Sequence, residues 1–537
     1  MMKYNNSRYS VYLPLIIVCS IIFGVLLGRL VWLHEGQNAR MFHGGKANKL
    51  DMAIEYISRN FVDSISRDQL IEDALPALLS KLDPHSAYIP AKEFNEVNDP
   101  LSGQFEGIGV QFNLQTDTVV VMQVIAGGPS EKVNIRAGDR IVKVNDTLIA
   151  GKKLSSDDVV HKLKGPRGTK VKVGILRKGT KGIIDFVITR DKIPLYSIDA
   201  AFMIDNQIGY VKISRFATTT HTEFVEKVRT LKAKGMRKLI IDLRGNGGGI
   251  LQASTAIANE FLEAGKLILY TQGRAYPREN FVADNAGICK NDGLVILIDE
   301  GTASASEILS GAIQDNDRGT IVGRRSFGKG LVMDQQMFPD GSALRLTISR
   351  YYTPTGRCIQ KPYDGDHEKY YAEVERRFMH GEFEKKDSIK FPDSLKFRTK
   401  KGKIVYGGGG IMPDVFVPLD TTGASRYLSE INNRGLVYDF AFSWSDNNRK
   451  AVASYRTGAA LNEYLKSKNV VNQFVAYAQT KGVKANPMEL KRSMKDLSER
   501  LNSLIVRNIL GDEAFYELWL KSDKTFEKAV EVSKKTK

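Results

Sequence analysis

Residues 301–308, with the sequence GTASASEI, place a serine hydroxyl among small neighbours. Before them, the unbroken apolar run 294–298 predicts a strand buried on both faces. After them, apolar residues recur at helical spacing as far as Ile313, so Ser304 is predicted at or just before a helix N-terminus. Free backbone N–H groups there can stabilise a developing negative charge, which makes Ser304 a candidate nucleophile. The alternative is a serine that only caps the helix.

A serine nucleophile needs a general base, because its hydroxyl reacts poorly at neutral pH. The seven histidines lie outside the Ser304 segment and the glycine-rich segments, and none has the surroundings typical of a catalytic triad. Lys329 is the other candidate, since Gly328 and Gly330 let the backbone pack closely around its amine. As a base it must be neutral, so its pKa must fall from about 10.4 by about three units, at a cost of about 4 kcal/mol. The alternative is a surface lysine on a glycine turn.

Residues 247–249 are consecutive glycines that follow the apolar run 239–243, a predicted buried strand. They either form a flexible turn or bring backbone N–H groups close to a reacting carbonyl oxygen, since no side chain blocks the approach.

Residues 323–329 also fit the pattern G-x-x-x-x-G-K of a phosphate-binding loop. The next residue is Gly330 instead of the Ser or Thr that holds magnesium, and residues 331–333 favour a strand where the motif needs a helix. The sequence therefore argues against nucleotide binding.

Composition narrows the remaining classes of function. At 537 residues the chain has room for about three or four structural units. Its net charge of +17 comes from scattered Lys and Arg, which favours a solvated basic surface over nucleic-acid binding. Cys19 lies in the apolar N-terminal segment, whereas Cys289 and Cys358 are interpreted as structural, and a bond between these two is left open. No Cys/His cluster has metal-ligand spacing, so neither a metal nor another cofactor is predicted.

Residues 11–33 are mostly apolar and follow Lys3 and Arg8. This length can just span the roughly 30 Å core of a bilayer. No small-residue cleavage site follows cleanly, so an uncleaved anchor is favoured over a cleaved export signal. Residues 1–10 are then predicted to be cytoplasmic. We expect a single-pass protein of a bacterial-type inner membrane, with its catalytic part in the periplasm.

The rest of the chain predicts a mixed α/β architecture. Residues 45–100 have helical periodicity, residues 103–190 consist of short alternating runs, and residues 191–420 alternate strands with helices. Residues 421–537 have apolar spacing typical of helices, which predicts a helical C-terminal extension.

Several of these segments resemble those of one family and occur in that family's order: residues 82–86, 105–110, 242–249, 301–308, 318–330, 351–357 and 410–414. Over about residues 46–419 the chain resembles the carboxy-terminal processing proteases, also called tail-specific proteases. The resemblance implies a serine endopeptidase with a Ser/Lys dyad. It also implies a PDZ domain at residues 103–190, ahead of a protease core at residues 191–420.

Carried over by position, the resemblance makes Ser304 the nucleophile and Lys329 the general base. The backbone N–H groups of Gly249 and Ala305 would form the oxyanion hole, worth about 3 to 4 kcal/mol per donor. No metal is needed in that mechanism.

The resemblance also implies a peptide-binding loop in the PDZ-like region. A loop of this kind accepts a substrate's terminal carboxylate while the peptide adds as a strand. Its residues here are Gly107, Ile108, Gly109 and Val110.

The chain departs from the family pattern at one position near the dyad. The family usually has Gln four residues after the lysine, where the amide orients the amine, but this chain has Met333. An insertion or bulge could bring another amide there. Gln335 faces the same side as Met333 in a regular strand and is the residue predicted to orient Lys329. The helical extension after residue 420 is a second departure, and its role is open.

These observations predict a membrane-anchored endopeptidase that acts on proteins with exposed apolar C-termini and cleaves them near those ends. The alternative is a catalytically weak or inactive PDZ scaffold or holdase of the same fold, which Met333 favours. The oligomeric state is left open.

Overall fold

The computed structural model describes residues 18, 20, 22–25, 48–115 and 117–535. The predicted cytoplasmic tail, residues 1–10, lies outside the described residues, and so does most of the predicted anchor, residues 11–33. Within the described part, no helix combines the length and apolar character needed to cross a membrane.

Residues 1–81 form a unit of their own. Its described part contains helices α1 (Lys49–Asn60) and α2 (Arg67–Leu79), as the helical periodicity predicts. Each helix begins at a side chain that accepts a backbone N–H of the first turn, Asn48 in α1 and Ser66 in α2.

A β-rich domain follows. It is preceded by strand β1 (Ala87–Ile89), which interrupts the predicted helical region 45–100, and by helix α3 (Phe94–Ser102). Its elements are β2 (Gln104–Gly107), β3 (Val110–Gln115), β4 (Thr118–Val124), α4 (Pro129–Lys132), β5 (Arg140–Val144), β6 (Thr147–Leu148), α5 (Ser156–Leu163), β7 (Lys170–Leu176), β8 (Ile184–Thr189) and β9 (Asp191–Pro194).

The strand order in this domain is β3-β4-β5-β7-β8, all antiparallel, with β6 on β5. The alternating pattern arises because one set of side chains, including Val121, Ile141 and Val173, is fully buried. Strands β2 and β9 pair antiparallel where the chain enters and leaves the domain. Among the described strands, β3 is at an edge of its sheet.

An α/β domain comes next, with strands and helices in alternation as predicted. Its elements are β10 (Ile198–Met203), β11 (Ile208–Ile213), α6 (Thr220–Ala233), β12 (Lys238–Asp242), α7 (Leu251–Asn259), β13 (Leu267–Gln272), β14 (Glu279–Val282), β15 (Gly293–Ile298), α8 (Ala305–Asp315), β16 (Thr320–Gly323), β17 (Leu331–Met337), β18 (Ala343–Tyr352), α9 (His367–Tyr371), α10 (Glu373–Met379), β19 (Lys396–Arg398), β20 (Ile404–Tyr406) and β21 (Val415–Phe416).

The main sheet has the order β10-β11-β12-β15-β16-β21. Strand β10 is antiparallel to β11, and the other neighbours are parallel. Helices α6, α7 and α8 cover one face, where Phe224, Ile257 and Leu309 are fully buried. A second sheet has the order β1-β18-β13-β14, with β17 also paired to β18.

The C-terminal region is helical, as predicted. Its helices are α11 (Arg426–Asn433), α12 (Leu436–Val452), α13 (Gly458–Ser467), α14 (Val470–Thr480), α15 (Pro487–Leu510), α16 (Asp512–Trp519) and α17 (Lys524–Lys535). Most of them enclose a core of their own that includes Leu461, Phe474 and Leu501, all fully buried.

The last helix, α17, has a different role. Leu520, just before it, and Phe526 and Ala529 within it pack on the main sheet, on the side that holds Tyr210 and Val295. The rings of Tyr210 and Phe526 meet edge to face at 5.6 Å. The extension therefore supplies part of the second layer of the α/β domain and is not a separate appendage.

The two cysteines in the described residues are free thiols, Cys289 buried and Cys358 partly buried. The bond between them that the sequence leaves open is not formed. Burial raises the pKa of Cys289 to about 12, which fits an unreactive structural thiol.

Candidate active site

Three neighbouring parallel strands carry the candidate residues to one edge of the main sheet. The chain leaves β12 toward Gly249, leaves β15 toward Ser304 and leaves β16 toward Lys329. In open α/β sheets, ligands bind outside the carboxyl ends of parallel strands. Here all three residues line one cavity of about 1050 Å³.

Ser304 lies directly before α8, as predicted, in a backbone conformation that few non-glycine residues adopt. Its φ is 55° and its ψ is −116°. Gly248 packs against it so closely that a Cβ there would lie 2.7 Å from Ser304 Cβ and 2.9 Å from the Ala305 nitrogen. Such strain is typical of functional positions, and here the packing of the glycine turn maintains it.

Glu307, one turn into α8, is fully buried and binds both catalytic segments. Its Oε2 accepts the N–H of Ser304 at 2.9 Å and the N–H of Lys329 at 2.8 Å. Its Oε1 accepts the N–H of Gly328 at 2.8 Å and the hydroxyl of Ser326 at 2.5 Å. Burial raises the pKa of this carboxyl, and the four hydrogen bonds oppose that shift. Because every neighbour can donate, the arrangement fits the ionised form.

Tyr351 gives a second connection between the same segments. Its buried hydroxyl lies 3.2 Å from the carbonyl oxygen of Ser304 and 3.0 Å from that of Lys329, and donates its proton to them. Burial raises the pKa of this phenol well above its usual value, so it remains a donor.

Lys329 has the electrostatic surroundings that a neutral amine requires. Burial lowers the pKa of its amine, and the charge of Arg345 lowers it further, while Asp83 and Glu307 act in the opposite direction. Within the described residues no carboxylate forms an ion pair with Lys329. The pKa of Lys329 is therefore shifted in the direction that a general base needs.

The glycine turn offers the predicted oxyanion donor. Phe216 pairs with this turn through the carbonyl of Gly248 at 3.0 Å and the N–H of Ile250 at 2.7 Å. The N–H of Gly249 takes no part in that pairing, and Gly249 lines the cavity. The N–H of Ala305, the first residue of α8, has no intrahelical acceptor. Both groups are suited to bind a developing oxyanion.

Gln335, the residue predicted to orient Lys329, lines the cavity, but its amide oxygen binds a different side chain. It accepts two hydrogen bonds from the Arg345 guanidinium, at 2.8 and 3.2 Å, and none from Lys329 within the described residues. A bulge does lie at Met333, but its extra residue is Ile348 on β18, so β17 stays in regular register. Met333 and Gln335 therefore line the same cavity, and within the described residues neither makes a hydrogen bond to Lys329.

The sequence interpretation overlooked Asp83, a carboxylate whose charge acts on Lys329. Asp83 accepts the Ser86 hydroxyl at 2.6 Å and the hydroxyl of Thr347, the cross-strand partner of Met333, at 3.1 Å. Burial, with a smaller contribution from the charge of Lys329, lowers the pKa of His85 to about 4. The sequence signal for Asp83 and His85 was the segment 82–86, which was interpreted as a turn and given no chemical role.

The predicted peptide-binding loop joins β2 to the edge strand β3. The carbonyl of Ile108 accepts the Ser130 N–H at 3.0 Å, and the carbonyl of Gly109 accepts the Ile125 N–H at 3.0 Å. Gly109 has φ +75°, where a side chain would be strained, and a Cβ there would lie 3.0 Å from Ile193. These contacts hold the loop beside a strand edge to which a peptide can add.

Comparison with known protein families gives three matches along the chain. Residues 107–185 match a PDZ domain. Residues 207–367 match the family described as Peptidase family S41. Residues 427–511, in the helical extension, match a family of unknown function.

Individual proteins are also similar to this chain. The chain is 32% identical over 327 residues to the carboxy-terminal processing protease CtpA of Bacillus subtilis, covering 61% of this chain and 69% of that protein. It is 30% identical over 367 residues to the carboxyl-terminal-processing protease of Synechocystis sp., covering 64% of this chain and 84% of that protein. A solved photosystem II D1 C-terminal processing protease is 26% identical with a TM-score of 0.35, covering 72% of this chain and 98% of that chain.

The sequence resemblance is thereby confirmed. With residues 107–185 matching a PDZ domain and 207–367 matching Peptidase family S41, and with most of the length of such relatives covered at about one-third identity, the chain belongs to the family of carboxy-terminal processing serine proteases.

Proposed function

We propose that this protein is a serine endopeptidase that cleaves other proteins near their C-termini, with Ser304 as nucleophile and Lys329 as general base. One observation carries the proposal. Ser304, Lys329 and the N–H-bearing Gly249 come from three separate loops and line a single cavity. The depressed pKa of Lys329 supports its role, because only a neutral amine can accept the serine proton.

In the mechanism, Lys329 Nζ takes the proton of Ser304 Oγ as that oxygen attacks the peptide carbonyl carbon. The N–H groups of Gly249 and Ala305 donate to the oxyanion of the tetrahedral intermediate. When the intermediate collapses, the C–N bond breaks and Lys329 gives its proton to the leaving amine. Water, deprotonated by Lys329, then hydrolyses the acyl-enzyme and releases Ser304.

Substrate selection falls to the PDZ domain. The loop of residues 107–110 would bind the terminal carboxylate of a protein while its last residues add to the edge of β3. The edge strand carries partly buried apolar side chains, Val110, Phe112 and Leu114, which favours an apolar, uncharged tail. We further propose that residues 11–33 anchor the enzyme in the inner membrane with its catalytic part in the periplasm, on the strength of their apolar composition.

The test is cleavage of one reporter protein that carries a series of C-terminal tails, with the products identified by mass. Wild type is expected to cut tails that are apolar and uncharged, and Ser304→Ala and Lys329→Ala are expected to cut none while remaining folded. Cleavage near the wild-type rate in either variant would overturn the dyad.

An inactive scaffold or holdase is the second candidate, because Met333 replaces an amide and Gln335 binds Arg345. A serine-directed fluorophosphonate that labels Ser304 only in the presence of a tail peptide supports the peptidase. Absence of labelling, together with peptide binding by the PDZ domain, supports the scaffold.

A further inference from the structure

Arg345 on β18 faces the same cavity as Ser304 and Lys329. Its guanidinium donates to two amide oxygens, at 2.8 and 3.2 Å to Gln335 and at 3.3 Å to Asn98. No carboxylate in the described part of the chain forms an ion pair with it, although Asp334 lines the same cavity. Burial lowers the pKa of this guanidinium, and no acidic neighbour offsets the shift.

Two other arginines of the α/β domain have a carboxylate partner, whereas Arg318 donates to three backbone carbonyl oxygens and does not line this cavity. Arg244 pairs with Asp242 at 2.7 Å, and Arg357 pairs with Asp315 at 2.7 Å. A partly desolvated cation without a counter-ion is costly, and such a group facing a substrate cavity is suited to an anionic ligand. The side-chain amides of Gln335 and Asn98 orient the planar guanidinium of Arg345 but do not neutralise its charge.

The position of Arg345 in the cavity indicates which part of a bound substrate it would contact. Lys329 must protonate the leaving amine, so the segment C-terminal to the scissile bond begins at Lys329. Strand β17 continues from there along the cavity, and its Gln335 is the cross-strand partner of Arg345. Arg345 therefore lies on the leaving-group side of the cavity.

We propose that Arg345 binds a carboxylate of the segment that the enzyme cuts off, either the free α-carboxylate of a short tail or an acidic side chain within it. This inference rests on the proposed peptidase function and adds a specificity determinant inside the catalytic cavity. It is separate from the PDZ loop: an α-carboxylate would reach Arg345 only in a tail too short to be held by that loop at the same time, and an acidic side chain would precede the apolar last residues that the loop holds.

The experiment uses the full chain and one cleavable peptide whose tail is too short to be held by the PDZ loop, in four versions with Glu or Gln in the tail and a free or amidated C-terminus. Wild type is expected to cleave the versions with a carboxylate about tenfold better in kcat/KM, mainly through KM. Arg345→Gln should reduce that ratio to about one, and Arg345→Lys, which keeps the charge without the fork, should give an intermediate ratio. The matched control is Arg278→Gln, because Arg278 lines the same cavity but stacks on Tyr270 at 3.7 Å; its ratio should equal that of wild type.

The four peptide versions distinguish between the two sources of the carboxylate. If Arg345→Gln loses only the preference for a free over an amidated end, the ligand of Arg345 is the α-carboxylate. If it loses only the preference for Glu over Gln, the ligand is the acidic side chain. A preference that persists in Arg345→Gln, or that disappears in Arg278→Gln instead, overturns the inference. Equal cleavage of all four versions by wild type also overturns it while the peptidase function stands. If wild type cleaves none of them, the proposed function fails and the inference fails with it.

Discussion

Ser304 and Lys329 are bound to the same atom, because Oε2 of Glu307 accepts the backbone N–H of both, at 2.9 and 2.8 Å. The two residues are far apart in sequence and follow different strands, so this one oxygen fixes the spacing of the backbones that carry the proposed nucleophile and base. The arrangement also explains why a buried carboxylate is tolerated beside a lysine that must be neutral. Its charge is distributed over four donors, and Lys329 contributes only its backbone to them.

Glu307→Gln should therefore reduce kcat/KM by about a hundredfold or more, because misplacing catalytic groups by about 1 Å has effects of that size. The glutamine amide can place an NH2 group where Oε2 of Glu307 now accepts the N–H groups of Ser304 and Lys329. These donors would then repel each other, so the two segments move apart. The fluorophosphonate labelling rate of Ser304 measures the effect, with the melting temperature as a check on folding. Labelling at the wild-type rate would show that Glu307 does not position the pair.

Lys329→Met should abolish cleavage and stabilise the protein at neutral pH. The folded-state pKa of Lys329 is lowered from 10.5, so between the two pKa values the unfolded chain binds more protons and wild-type stability rises with pH. Methionine removes that penalty, and its advantage should shrink as the pH approaches about 10.5. Urea unfolding of both proteins at pH 7 and pH 10 measures this. An equal difference at both pH values would contradict the lowered pKa.

The strand and helix around Ser304 could be predicted because their signals are local. The apolar run 294–298 matches β15, and the periodicity after it matches α8. The contact of Glu307 with the Ser304 N–H has the S-x-x-E spacing of a capping box and could have been predicted. Its contacts with residues 326–329, and those of Tyr351 and Arg345, could not be predicted, since they join strands or loops that sequence spacing does not relate. The bulge at Met333 was anticipated, but which strand carries its extra residue depends on tertiary pairing.

The helical extension shows the same limit of prediction from sequence. Its apolar periodicity predicts helices but does not say which surface they cover, and α17 is found on the main sheet. Likewise, His85 was set aside because no triad spacing surrounds it, yet the fold brings it within electrostatic reach of Lys329.

Met333→Gln should increase kcat, by up to about tenfold, if an amide four residues after the lysine improves the orientation of its amine. Met333 faces the cavity, so the new side chain can reach the region of Lys329. Met333→Leu is the control, because it keeps an apolar side chain of similar volume. Single-turnover kinetics with a tail peptide separates chemistry from binding. Equal rates for the two variants would mean that Lys329 is already held well enough without the amide.

Phe526→Ala should lower the free energy of unfolding by about 3 kcal/mol, because it removes a large buried side chain from the second layer of the main sheet. The ring packs edge to face on Tyr210, whose hydroxyl donates to Asp242 at 2.9 Å at the end of β12. The loss should therefore be accompanied by lower activity, since the loop bearing Gly249 starts from that strand. Glu527→Ala, at an exposed position of the same helix, should change stability by no more than about 0.5 kcal/mol. Urea unfolding and peptide cleavage measured on both variants give the comparison. If Phe526→Ala unfolds α17 without affecting the protease, the helix is an appendage after all and its packing on the sheet contributes little to the catalytic fold.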